Sequence, residues 1–266
     1  ISEAPSVVNT ILNIIPSNPF KALAEGNMLQ IIFFAILLGS SISLCGKKGE
    51  GVANFFLSLN EVILKSLEIL MIIAPLGIFC LISQTFATLG LNMIFELGKY
   101  FFTVIIILLF HMLFFYGSIV KFYCKVSPIL FFKNIKESLF FAFSTSSSSA
   151  TVPITLKNVK NNLKVKDKIA SFTVPLGSTI NMDGTAIMQG VATIFIANIY
   201  GQYLNLTDFL TIILTATLAS IGTAGVPGVG LIMLGMVLNQ VGLPIEGIAI
   251  VMGVDRFLDM LRTSTN

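Results

Sequence analysis

Charge is what this sequence has least of. Only 11% of its 266 residues are Asp, Glu, Lys or Arg, whereas a soluble domain carries about 25%. Hydrophobic residues make up 55%, and the mean hydropathy is +0.91. This composition excludes an ordinary soluble domain and fits an integral membrane protein with several helical spans. Histidine is nearly missing too. The single one, His111, sits in an apolar run and reads as a satisfied helix histidine rather than a proton relay. The three cysteines, Cys45, Cys80 and Cys124, lie far apart in no ligand spacing and read as packing residues. There is neither a signal peptide nor an initiator methionine, and Asn266 falls inside a helical pattern. The chain is therefore expected to be a fragment cut at both ends.

The polar residues that are present concentrate between Ser144 and Asn266. Four segments stand in or beside apolar runs: Ser144 to Ser149, Asn181 to Thr185, Ser220 to Gly228, and Asp255 to Thr263. Non-helical backbone at membrane depth is tolerated only where protein buries it or a cavity is lined by it. Four such segments predict a solute site inside a membrane.

In chain order, residues 1–25 read as an interfacial lead-in with Pro5, Pro16 and Pro19. Gly26 to Gly46 is uncharged for 21 residues, about 31 Å as helix, enough for one span. Lys47, Lys48 and Glu50 mark an aqueous turn, and residues 51–68 are amphipathic, with Glu61 and Lys65 at i, i+4. The uncharged run Ile69 to Phe95 contains Pro75-Leu76-Gly77, where a break is expected, with a loop near Gly90. Tyr100 to Val120 is a further uncharged run of 21 residues.

Nine lysines then fall in two groups, Lys121, Lys125, Lys133, Lys136 and Lys157, Lys160, Lys164, Lys166, Lys168, with 19 uncharged residues between Glu137 and Lys157. Positive charge favours the cytoplasmic side, so both groups can lie there only if the segment enters and turns back. Two arms of about 14 residues reach about 20 Å, past the midplane but not across. A re-entrant hairpin is predicted, its tip at the serines. A span over residues 169–200, interrupted at Asn181 to Thr185, should follow. The 37-residue uncharged run Phe209 to Ile245 is broken by glycines and flanked by Asp208 and Glu246; it reads as a second hairpin entering from outside. A last span starts near Pro244. The pattern is hairpin then broken span, twice, with similar tips at Ala150-Thr151-Val152-Pro153 and Ala224-Gly225-Val226-Pro227. Inverted repeats with sites at interrupted helices mark secondary transporters.

Asp255, Asp259, Arg262 and Asn266 stand at i, i+4, i+7 and i+11, on one helical face. Charges at membrane depth make sense where that face meets a polar cavity. Asp259 can pair with a substrate ammonium and Arg262 can grip a carboxylate bidentately. Together they describe an acidic amino acid; the competing reading is a structural Asp259–Arg262 pair. Asn181 and Asp183, beside Gly177 and Gly184, offer carboxylate, amide and exposed carbonyl oxygens, which suit a hard cation such as Na⁺. The hairpin tips offer helix N-termini to carboxylates.

With these residues the chain closely resembles the dicarboxylate/amino acid:cation symporters, the glutamate transporter family. The resemblance rests on the serine-rich tip with Thr151-Val152-Pro153, Asn181-Met182-Asp183-Gly184-Thr185, Gly222 to Gly228, and Asp255 to Asn266, and extends to Pro16-Ser17-Asn18-Pro19-Phe20. It implies an all-α polytopic membrane protein of the glutamate transporter fold, multi-pass in the cell (inner) membrane. It also implies a homotrimer in which residues 91–266 form a transport domain moving as an elevator past a scaffold that includes residues 1–90. Substrate contacts carried over are Ser147, Ser148, Thr185, Val226, Asp259, Arg262, Thr263 and Asn266. One sodium site carries to Gly177, Asn181 and Asn266, another to Thr179, Ser220, Ile221 and Thr223, and a third to Asn181 and Asp183. The family's first three helices are absent, and the last helix stops before an aspartate that completes the first sodium site. Some prokaryotic members carry an arginine at the position of Ser146; here Arg256 is expected to supply that charge.

The expected function is uptake of L-glutamate or L-aspartate coupled to Na⁺, with a proton- or Na⁺-coupled C4-dicarboxylate carrier as the alternative. Partners are the amino acid, Na⁺ as coupling ion, membrane lipid and further copies of the chain; no cofactor and no nucleic acid is implied. An intramembrane protease is disfavoured. The only histidine lies more than 30 residues before the serine run, so a serine nucleophile has no evident base. Asp255 and Asp259 share one helix and cannot face each other as an aspartyl pair.

Overall fold

The computed structural model describes residues 15–25, 28–89, 92–221 and 223–266, and among these it contains helices and no strand. They fall into two compact units, within residues 5–90 and 91–266.

The first unit holds α1 (Pro19–Glu25), α2 (Met28–Leu44), a 3-10 turn (Gly46–Gly49) and α3 (Glu50–Leu89). Asn18 caps α1, its Oδ1 accepting from Phe20 N at 3.0 Å and Lys21 N at 3.2 Å. The break expected at Pro75-Leu76-Gly77 is not there: α3 runs unbroken for 40 residues. One interior proline removes a single backbone hydrogen bond, and the flanking apolar run keeps the rest of the ladder helical. The expected loop at Gly90 and the segment 1–14 of the lead-in lie outside the described residues.

The second unit opens with α4, made of Asn92–Phe110, a π-helical stretch His111–Tyr116, and Gly117–Phe122. Its span Met93–Phe122 is long and apolar enough to cross a membrane. Tyr100, Val104 and Leu108 are buried at i, i+4, i+8, while Phe102, Ile106, Phe110 and Phe114 form an exposed stripe. A helix apolar on both faces is at home in lipid.

Next come α5 (Pro128–Thr145) and α6 (Ser148–Asn161). Ser146 turns the chain with φ 51° at the C-cap of α5, and Ser147 caps α6 by accepting from Ala150 N. The helices run antiparallel: Asn158 Nδ2 lies 2.9 Å from Ser138 Oγ, and Asn162 Nδ2 donates to Asn134 O at 2.7 Å. At 18 residues α5 exceeds the expected 14-residue arm, because Pro128 starts the helix before Lys133 and Lys136. Both lysine groups thus lie at one end of the unit, where Lys157 pairs with Glu137 at 4.0 Å and Lys160 with Asp167 at 2.5 Å.

The next two helices, α7 (Asp167–Ile180) and α8 (Asp183–Ile199), are separated by Asn181 and Met182. A second pair follows, α9 (Leu206–Ile221) and α10 (Val229–Gln240). Asn205 and Asp208 cap the start of α9 reciprocally, at 2.8 and 3.0 Å. A 3-10 turn (Ile245–Gly247) leads into α11 (Ile248–Thr265). Here the expected repeat is only partly matched. α11 is continuous, which keeps Asp255, Asp259 and Arg262 on one face. The two tips also differ: Ala150 to Pro153 lie inside α6, whereas Ala224 to Pro227 lie in the non-helical link before α10.

Leu108, Met188, Ala192, Ile196, Leu234, Leu238, Val251 and Leu258 build the core among α4, α8, α10 and α11. All three cysteines are exposed on the chain's own surface, not packed as expected. That surface also exposes many large apolar side chains, so burial is not required to place them.

Candidate functional site

The interruption between α7 and α8 is held by the end of α11. Asn266 Oδ1 accepts from Gly184 N at 2.8 Å, and its Nδ2 donates to Thr185 Oγ1 at 3.2 Å. Asn181 Nδ2 donates to the carbonyl of Asn266 at 3.2 Å, while Asn181 N donates to Gly177 O at 2.9 Å. Gly177, Asn181 and Asn266, expected as one cation set, therefore meet. A Cβ on Gly184 would stand 3.0 Å from both Arg262 O and Asn266 Oδ1, so α8 reaches α11 this closely only with glycine there.

Asp183 turns the other way in its contacts, to α4. Tyr116 Oη donates to its Oδ2, and His111 Nε2 lies 3.0 Å from the same oxygen. The satisfied histidine expected from the sequence is thus satisfied by a candidate cation ligand.

On α11, Arg262 is 1% exposed. Its Nη2 donates to Asp259 Oδ1 at 2.7 Å, and its Nη1 lies 3.1 Å from Asp255 Oδ1. The other oxygen of Asp259 accepts from Gly228 N at 3.0 Å. Asp259 hydrogen-bonds the guanidinium and Asp255 stands at ion-pair distance, but Arg262 Nε and Nη1 and Asp255 Oδ1 are buried without a hydrogen-bond partner among the described residues, so this buried ion pair is only partly satisfied. Asp255 lay on the polar face in the sequence with no contact assigned to it; its spacing of seven from Arg262 was the available signal.

The two helical pairs meet above this pair. Ser147 Oγ donates to Gly225 O at 2.8 Å, and Ser149 N donates to the same carbonyl at 3.1 Å. Gly225 O thereby occupies the N-terminus of α6, where a carboxylate would be welcome. Beneath lies a polar cavity of about 20 Å³ lined by Ser148, Thr185, Val226, Asp259, Thr263 and Asn266. That is room for about one water, so any larger solute needs the tips to part. Six of the eight expected substrate residues line this space; Ser147 holds the tips and Arg262 lies behind Asp259. A larger, mostly apolar cavity of about 360 Å³ reaches Tyr116, Gly177 and Asn181 on the α4 side.

The family model of the sodium:dicarboxylate symporter family matches residues 1–266. The chain belongs to that family. A proton/sodium-glutamate symport protein of Geobacillus stearothermophilus is 35% identical over 261 residues, 98% of this chain and 62% of the relative. A proton/glutamate-aspartate symporter of Escherichia coli is 36% identical over 266 residues, 100% of this chain and 60% of the relative. Excitatory amino acid transporter 1 of Ambystoma tigrinum is 41% identical over 242 residues, 90% and 45% respectively. The chain spans less than two thirds of the length of each of these relatives.

Two expectations drawn from the symporter family sit less simply. In the set Thr179, Ser220, Ile221 and Thr223, the hydroxyls bond within their own segments: Thr179 to Leu176 O, Ser220 to Thr217 O and Thr223 to Ala219 O. No hydrogen bond joins Thr179 to the other three among the described residues. Arg256 is exposed on α11, and the buried Ser146 Oγ has no hydrogen-bond partner among the described residues. Phe257, the neighbour of Arg256, packs against Phe143 in the last turn of α5, ring centroids 5.8 Å apart.

Proposed function

We propose that the protein is a secondary active symporter that takes up L-glutamate or L-aspartate with Na⁺. The observation that carries this reading is the Asp259–Arg262 pair beneath a cavity whose roof comes from both helical tips. Arg262 would exchange its carboxylate partner for the ligand's side-chain carboxylate, and Asp259, so released, would receive the ammonium. The ligand's other carboxylate would replace Gly225 O at the start of α6, beside Ser147 and Ser148. A C4-dicarboxylate has no amine and would meet Asp259 with like charge. The printed names of the three relatives, all glutamate, glutamate-aspartate or amino acid transporters, support the same choice.

The coupling ion is a cargo. Gly177, Asn181 and Asn266 supply amide and carbonyl oxygens for one site, Asp183 with Asn181 a carboxylate and amide for another, and Thr179, Ser220, Ile221 and Thr223 a third. Such hard oxygen donors suit Na⁺.

In this reading the two helical pairs are re-entrant hairpins in a multi-pass protein of the cell (inner) membrane. Residues 121–168 carry nine of the chain's 16 lysines and arginines, and residues 169–255 carry none. That bias supports a cytoplasmic lysine end. Residues 91–266 would form the transport domain, moving as an elevator against a scaffold that includes residues 1–90, in a homotrimer.

Uptake of labelled L-aspartate by vesicles containing the protein tests the coupling. An inward Na⁺ gradient should drive accumulation, and a proton gradient alone should not. Accumulation with protons and without Na⁺ would overturn the sodium reading.

A further inference from the structure

His111 and Tyr116 stand five residues apart, yet both reach Asp183 Oδ2. Five residues of α-helix leave about 140° between side chains, which would point them to different neighbours. The chain resolves this by running His111–Tyr116 as π-helix. Bonds of the i→i+5 type widen the turn and bring residues five apart towards one face. The two rings stand edge to face with centroids 5.0 Å apart. Tyr116 Oη also accepts from Asn181 Nδ2 at 3.1 Å, so one phenol ties together both polar residues that flank the helix break. Asp183 Oδ1 has no hydrogen-bond partner among the described residues. Stretches of π-helix inside α-helices gather at functional sites, and this one has a definite local product: two donors on a single carboxylate oxygen.

We propose that Tyr116 and His111 are positioning residues for the cation site at Asn181 and Asp183. Two donors on Oδ2 fix the rotation of the carboxylate and leave Oδ1 as the oxygen that meets the ion. The third contact, Asn181 to Tyr116, holds the amide in register with it. This inference rests on the sodium-coupled reading above. It assigns a role to α4, the one element of the site without a recognisable motif.

The test is Na⁺ binding, read as the Na⁺-dependent rise in melting temperature of the purified protein without substrate, together with Na⁺- and aspartate-dependence of uptake. Loss of a residue that orients a metal ligand typically costs about 10–100-fold in affinity. Tyr116→Phe should raise the half-saturating Na⁺ concentration by at least about 10-fold, in both binding and uptake. The aspartate concentration for half-maximal uptake at saturating Na⁺ should keep its wild-type value. His111→Leu should act in the same direction, and His111→Gln, which keeps a donor, should recover part of the loss. Unchanged Na⁺ half-saturation in Tyr116→Phe and His111→Leu overturns the proposal. So does a drop in melting temperature in Na⁺-free buffer that accounts for the whole effect, since that marks a structural anchor. Were the wild-type protein itself to show no Na⁺ dependence, the sodium reading and this inference would fall together; unaltered variants beside a Na⁺-dependent wild type sink this inference alone.

Discussion

Ser147 Oγ donates a 2.8 Å hydrogen bond to the carbonyl of Gly225, 78 residues further along the chain. The turn of one helical pair thus closes on the link of the other. A methyl on Gly225 would stand 2.8 Å from Ser149 Oγ and 3.0 Å from Ser149 N. Gly225→Ala is expected to force the tips apart and destabilise by about 1–3 kcal/mol. Ser147→Ala removes this hydrogen bond and the cap on Ala150 N but introduces no clash, and should cost about 1 kcal/mol. Thermal unfolding of both variants checks the order, and a larger loss for Ser147→Ala contradicts this packing.

Arg262 sits between Asp255 and Asp259 with 1% exposure. Removing one member of a buried ion pair typically costs about 3–5 kcal/mol, so Arg262→Ala should unfold well below the wild type and take up no aspartate. Asp255→Asn keeps the shape and should cost less. Combining the two should be less than additive, because the second change removes a charge the first has orphaned. Strict additivity would show that Asp255 and Arg262 are not coupled.

Asn266 makes side-chain bonds to Met182 Sδ, Gly184 N and Thr185 Oγ1 at the head of α8. Asn266→Ala loses all three and should raise the Na⁺ concentration for half-maximal uptake by about 10-fold or more. Gly184→Ala, which crowds the same contact, should act in the same direction. Na⁺ titration of uptake decides; unchanged titrations would remove Asn266 from the cation site.

Cys124 is exposed in the turn that follows α4, between Lys121 and Lys125. In a variant with Cys45 and Cys80 replaced by serine, a membrane-impermeant maleimide should label it in inside-out vesicles and leave it unlabelled in right-side-out vesicles. The reverse pattern would invert the topology.

Much of this site was legible in the sequence because polar residues stand out in an apolar chain. The turn at Ser146 and Ser147, the break at Asn181 and the polar face of α11 were all marked that way. Alpha-helical spacing alone put Asp255 on the face of Arg262, though not its role as partner. The π-helical turn was not legible, since a spacing of five carries no signal when α-helix is assumed, and the convergence of His111 and Tyr116 on Asp183 stayed hidden with it. Nor was the meeting of Ser147 with Gly225, which depends on how two helical pairs pack. Pro75 misled in the opposite sense: a proline marks a weak point in a helix, and the apolar residues around it decided the outcome.

In the proposed function, Asp259 and Arg262 together select a ligand with both charges. Competition between labelled L-aspartate and succinate, measured in the wild type and in Asp259→Asn, tests it most directly. Excess succinate should leave wild-type uptake unaffected, and Asp259→Asn should weaken aspartate uptake while letting succinate compete. Succinate that competes equally well against the wild type, or an Asp259→Asn variant that discriminates as before, would contradict it.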